Sequence, residues 1–240
     1  MAGRTWMTLP AAALVVAGAT MLVTAAGATE SSSMVVTGRV TFTGSAPAPE
    51  PIDMSADGYC VDQHTTPVMD ASVRIDDSGG LAGVLVYVSN APSGAGPAAG
   101  DETLLDQVGC IYTPGAVAVR VGQTLVVRNS DQTLHNVRVT PTLNRGFNLG
   151  QPMRGIESRR SFDQPEVGIP VRCDIHGWMH ATLHVIDHGF HTITGPDGSF
   201  ELPDLPAGDW VVEAWHPTLG TVSSQIAGGG AAAIELEFGG

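Results

Sequence analysis

Cys173-Asp174-Ile175-His176-Gly177-Trp178-Met179 sets a thiol, an imidazole and a thioether at successive three-residue steps in one short loop. Cys and Met are soft ligands and His is the commonest biological metal ligand, so the set suits copper and does not suit magnesium or calcium. Taken singly, these are more often a buried Cys, a satisfied His and a core Met. Three of them within seven residues point instead to a metal, with a further ligand expected upstream. The loop runs into Ala181-Thr182-Leu183-His184-Val185-Ile186-Asp187, which reads as a strand. A ligand loop just before the closing strand suits a Greek-key sandwich.

Outward from this loop the chain reads as many short strands. Residues 35–44 alternate apolar and polar and close on Gly44. Residues 71–75 and 81–88 are strands on either side of a turn at 76–80. Residues 90–100 form a Gly/Ala/Pro/Ser linker across which composition changes. Beyond it, 117–121, 124–128 and 135–139 are strands, 141–158 is loop-like, and a turn at 165–168 precedes the lead-in to Cys173. In the last segment, turns at 195–198 and 203–208 set off strands at 199–202 and 210–215, and 231–238 ends the chain as another. No helix of length is expected. With 30 Gly, 16 Pro and 5% aromatics, the fold class is all-β.

The first 28 residues have the form of an export signal. Arg4 gives a positive start, residues 11–23 are apolar, and Ala26-Gly27-Ala28 is a small-residue cleavage site. The apolar run is short and Ala/Gly-rich for a membrane span, so cleavage near Thr29 is expected rather than a retained anchor. No Cys at the cleavage site offers a lipid anchor. The mature chain is then periplasmic or secreted, without stable membrane insertion, in a compartment that permits disulfides. There is no Lys, and the formal charge is −13, one unit more negative once Arg4 is removed. That charge argues against nucleic acid and anionic membranes as partners. Residues 101–188 hold eight Arg against nine acids, so the flanks carry the excess.

Three cysteines in an exported chain leave one thiol over. If Cys173 binds a metal, Cys60 and Cys110 remain to form a disulfide. The alternative joins Cys173 to one of the others and destroys the site. The first is preferred, because copper needs an unpaired thiolate.

Residues 101–188 resemble the cupredoxins, the blue-copper proteins. The resemblance rests on Val121-Gly122-Gln123-Thr124, on Asn129 through His135-Asn136-Val137, and on Cys173, His176 and Met179, whose spacing is similar to the short ligand loop of amicyanin. It implies four copper ligands, His135, Cys173, His176 and Met179, with His135 lying 38 positions before Cys173. Two imidazoles and a thiolate make a trigonal plane with a weak thioether on its axis, a geometry that serves both copper oxidation states. Asn136 follows the first ligand, where cupredoxins tie their ligand loops together by hydrogen bonds, and it is expected to orient the ligands. The flanks, 34–96 and 189–240, resemble a transthyretin-like, carboxypeptidase-regulatory β-sandwich, chiefly through residues 194–208. This predicts a cupredoxin domain inserted into a split sandwich. The whole arrangement resembles exported bacterial proteins of the methylamine-utilisation type. Members of that group often carry His where this chain has Gly115 and Arg138, so no extra metal site is expected there.

His180, His184 and His188 alternate on one face of the closing strand and are read as solvated or interface residues in preference to a second metal site. Trp178 either covers the metal, forms a docking patch or simply packs. The function implied is electron transfer by a type 1 copper, with His176 as the near-surface ligand and a cytochrome or dehydrogenase as redox partner. Alternatives are copper delivery or sequestration without redox work, and an adhesion or carbohydrate-binding sandwich with an accessory copper site. An enzyme is not expected. A type 1 site keeps no open position for substrate, and no Ser-His-Asp or paired-carboxylate constellation is evident.

Overall fold

The computed structural model describes residues 1–3, 33–228 and 231–239. The expected export signal, residues 1–28, lies outside them apart from its first three residues. Among the described residues the fold is all-β with one short helix. The chain opens with β1 (Ser33–Phe42), β2 (Glu50–Pro51), α1 (Gly58–Asp62), β3 (Met69–Asp70) and β4 (Leu85–Val88). It continues through β5 (Glu102–Val108), β6 (Ile111–Thr113), β7 (Ala116–Arg120), β8 (Thr124–Asn129), β9 (His135–Val139), β10 (Phe147–Gln151), β11 (Glu157–Arg160), β12 (Glu166–Arg172) and β13 (His180–Ile186). It ends with β14 (His191–Ile193), β15 (Ser199–Pro206), β16 (Trp210–His216), β17 (Gly220–Ile226) and β18 (Ala232–Phe238).

The middle of the chain forms a sandwich of two sheets, β10-β9-β12-β13-β7 and β11-β8-β5-β6. Their inner faces bury Leu105, Leu125, Val127, Val137, Ile169 and Leu183. β5 lies parallel to β8 and β7 parallel to β13, so the connections cross between the sheets. A second sandwich pairs β15-β1-β18 with β14-β4-β16-β17 around Val36, Val40, Val86, Leu202, Val212 and Leu236. Its strands come from both ends of the chain. β1 lies antiparallel to β15 and parallel to β18, and β4 lies between β14 and β16.

Several elements depart from the pattern read in the sequence. Residues 71–75 are not a strand; only Ile75 makes an isolated bridge, to Leu81. Gly83 at φ 74° breaks the run before β4, which begins only at Leu85. The loop-like stretch 141–158 contains all of β10 and the start of β11. Phe147, Leu149 and Gln151 turn inward at every second residue despite the nearby Gly and Pro. Residues 50–70 do not join the flanking sandwich with the rest of 34–96. Ile52, Met54, Tyr59, Cys60 and Val68 pack into the core of the central one instead, because the bridge between Cys60 and Cys110 fastens them there.

The two sandwiches meet at Gly168, His184 and Trp215. Gly168 has φ 80° at a break in the register of β12 with β13, and a Cβ there would lie 2.6 Å from the Trp215 ring. The Gly168 N–H donates to His184 Nδ1 at 3.2 Å, and the His184 ring meets Trp215 edge to face at 5.2 Å.

Candidate metal centre

Two loops at one end of the central sandwich build the site. The first joins β8 to β9. Asn129, the last residue of β8, accepts from the Asp131 N–H and donates to the carbonyls of Thr133 and Gln151. This turn directs Asp131 inward, where its carboxylate accepts from the Gly109 and Cys110 N–H groups and lies 2.9 Å from His135 Nε2. The second loop joins β12 to β13. Its ends are tied by Cys173 N–H to the Met179 carbonyl and Met179 N–H to the His176 carbonyl. Asn136 links the two loops. Its Oδ1 accepts from the Asp174 N–H at 2.6 Å and from the Cys173 thiol at 3.3 Å, while its Nδ2 donates to Asp174 and Asn148.

The result is a buried cluster. His135, Cys173 and His176 place ligand atoms within 4.8 Å of one another. His135 is fully buried, Cys173 and His176 are 3% exposed, and Met179, at 1%, lies in the same core. The imidazoles meet through Nδ1 and Nδ1 at 2.9 Å, while their outer nitrogens each reach a carboxylate: His135 Nε2 to Asp131, and His176 Nε2 to Asp57 at 3.1 Å. A carboxylate at Nε2 holds the proton there and leaves the Nδ1 lone pair free. Two lone pairs that close repel unless a cation lies between them, either a proton or a metal ion. The donor set is two imidazoles and a thiol, with the Met179 thioether adjacent in sequence, and it fits a soft or borderline metal.

The electrostatics agree with the geometry. Burial works against charge on His135, but Asp131 and Cys173 outweigh it and hold its pKa above the ordinary imidazole value. Burial dominates at His176 and pushes it down, with the neighbouring His135 adding to the effect and Asp57 opposing it. Burial alone would raise the Cys173 thiol, yet hydrogen bonds from His135 and from the backbone N–H groups of Asn136, His176 and Ile175 bring it below its usual value, toward the thiolate that a metal requires.

His176 is not near the surface. Asp57 caps α1 by accepting from the Tyr59 N–H, and its other oxygen accepts from Thr133 and faces His176. Cys60, in α1, is disulfide-bonded to Cys110, and its sulfur lies 3.7 Å from His176 Nε2. Helix and disulfide together therefore cover the edge of His176 that was expected to face solvent. Trp178 stacks at a tilt on the His176 ring with centroids 5.0 Å apart, and its indole N–H donates to the Cys110 carbonyl.

Neither Asp57 nor Asp131 stood out in the sequence. Asp131 has a local signal, four residues before His135, whereas Asp57 is 119 positions from its partner and has none. The three histidines of the closing strand do not converge. His180 bonds the Trp178 carbonyl and faces Asp70, His184 meets Gly168 and Trp215, and His188 accepts from the Phe190 N–H.

No protein-family model matches the chain, and no curated protein matches it. Among solved structures, a copper-containing nitrite reductase from Thermus scotoductus SA-01 is 21% identical over 40% of this chain, with a TM-score of 0.33, and the chain spans only 24% of that protein. A purple cupredoxin from Nitrosopumilus maritimus is 19% identical over 36% of this chain and 99% of its own, with a TM-score of 0.30. An oxidised amicyanin variant is 20% identical over 42% of this chain and 97% of its own, with a TM-score of 0.31. Among the described residues, no helix is long and apolar enough to cross a membrane.

Proposed function

We propose that the chain is an exported type 1 copper protein that carries electrons and is not an enzyme. His135 Nδ1, His176 Nδ1 and Cys173 Sγ would hold the metal, with Met179 as the weak thioether. One observation carries this reading: two buried imidazoles face each other through Nδ1 at 2.9 Å beside an unpaired thiol, each with its outer nitrogen on a carboxylate. Bound copper would supply one-electron cycling between Cu(I) and Cu(II). The protein's part is to keep the ligands still through that change. Asp131 and Asp57 fix the ring orientations, Asn136 fixes the distance between the two loops, and the His176 N–H, 3.4 Å from Cys173 Sγ, stabilises the thiolate. With the His176 edge closed, the ring face against Trp178 is the route toward a partner, a cytochrome or a dehydrogenase. The flanking sandwich, assembled from both chain ends, fits the transthyretin-like type.

Cu(II) added to purified protein should produce intense visible absorption from charge transfer between Cys173 and copper, and Cys173→Ser should remove it. A colourless Cu(II) complex of the unaltered protein would sink the carrier reading. The closure over His176 favours a second reading, copper sequestration or delivery, in which the coloured complex lacks a reversible couple by voltammetry.

A further inference from the structure

A cleft of about 460 Å³ opens between the two sandwiches, with Trp178 among its lining residues. That volume is in the range of small-molecule sites. Ile52 and Val68 line the cleft together with Trp178. Arg74 and Arg172, both exposed, are among the lining residues. Neither makes a side-chain hydrogen bond or ion pair among the described residues, as is also true of Arg145, whereas the arginines at 39, 128, 138 and 159 pair with acids.

The structure explains why these two stay unpaired. Arg172 lies across from Arg138 on β9 and from His180 on β13. Each neighbour already has its own acid: Asp174 for Arg138, and Asp70, also in the cleft, for His180. Arg74 spans the junction. Its Nη2 lies 3.0 Å from where a Cβ on Gly83 would be and 3.5 Å from the corresponding point on Gly115. The two glycines, one in each sandwich, make room for the guanidinium. His216, also lining the cleft, is pushed down to about 4 by burial and then by the charge of Arg74. It is neutral near pH 7, and Arg74 keeps the local positive charge.

From this arrangement we infer that the cleft binds a small aromatic carboxylate, its anionic group between Arg74 and Arg172 and its ring on Trp178. A guanidinium presents a planar fork that matches a carboxylate, and an indole face supplies apolar area for a ring. The site is independent of the metal reading, so it is tested on metal-free protein. Titration calorimetry with 1-naphthoate should show one site with Kd below about 1 mM, and the Trp178 indole N–H resonance should shift in step. Arg74→Gln and Arg172→Gln should each weaken binding about tenfold without changing the melting temperature, whereas Arg145→Gln, outside the cleft, should leave it unchanged. Uncharged 1-naphthamide should bind at least about tenfold more weakly. The inference is overturned if 1-naphthoate gives no saturable heat up to about 10 mM, if binding survives both arginine substitutions, or if inorganic phosphate binds as tightly as 1-naphthoate.

Discussion

The two sandwiches differ in what they bury. The central one threads polar side chains through its interior: Gln107, Asn129, Asp131, His135, Asn136, Gln151 and His176. Gln107 and Gln151 join its two sheets by a hydrogen bond, and Gln151 also donates to the Val127 carbonyl. Among the described residues, the flanking sandwich encloses an almost wholly apolar core, with Thr194 and His216 as its buried polar side chains and His188 near its edge. Burying a polar group costs free energy unless it is fully bonded, so a connected polar network marks a site that stability alone would not build. The flanking sandwich stays with the cheaper solution and contributes one wall of the cleft.

Removing one member of the polar network should expose this contrast most sharply. Asp131→Ala strands His135 Nε2 and the Gly109 and Cys110 N–H groups, and it should lower stability by about 3–5 kcal/mol in urea unfolding. Thr194→Val in the flanking core, which removes one hydroxyl bonded to the Leu81 carbonyl and the Val84 N–H, should cost only about 1 kcal/mol. Equal losses would mean that the two cores tolerate polar groups alike. Next in size is the disulfide, which spans 50 residues. Replacing Cys60 and Cys110 together by Ser should cost about 4 kcal/mol by the loop-entropy relation, with melting temperature as the readout. A pH-dependent contrast lies where the sandwiches meet. Burial pushes His184 down to about 3 from an ordinary 6.5, with His191 adding to it. Above pH 6.5 the residue is neutral in both states and contributes nothing to pH dependence. As pH falls below 6.5 the unfolded chain takes up a proton that the folded protein refuses, so stability falls by about 1.4 kcal/mol per pH unit until about pH 3. His184→Gln should flatten the slope of unfolding free energy between pH 6 and pH 4 by that amount. An unchanged slope would show that His184 is not held neutral at the junction.

Much of the fold was legible because strands declare themselves locally. The alternation in 135–139 and the closing strand through Val185 correspond to β9 and β13 almost residue for residue. β10 was missed because Gly146, Gly150 and Pro152 signal a loop, while what makes it a strand is pairing with β9, from Phe147 opposite Val139 to Gln151 opposite His135. The boundary of the flanking sandwich was misplaced for a similar reason, since no local pattern tells residues 50–70 which core to join.

By itself, the order of residues determined the donor set and its spacing. Thiol, imidazole and thioether in seven positions carry their chemistry wherever the loop is placed, and an odd cysteine among three already left one thiol unpaired, with the structure showing it to be Cys173. Only the tertiary structure decided how the set is enclosed. Asp57 and Cys60 reach His176 from 119 and 116 positions away. Burial and hydrogen-bond partners depend on which surfaces meet across the fold, and that is why His176, read as near the surface, lies beneath a helix and a disulfide.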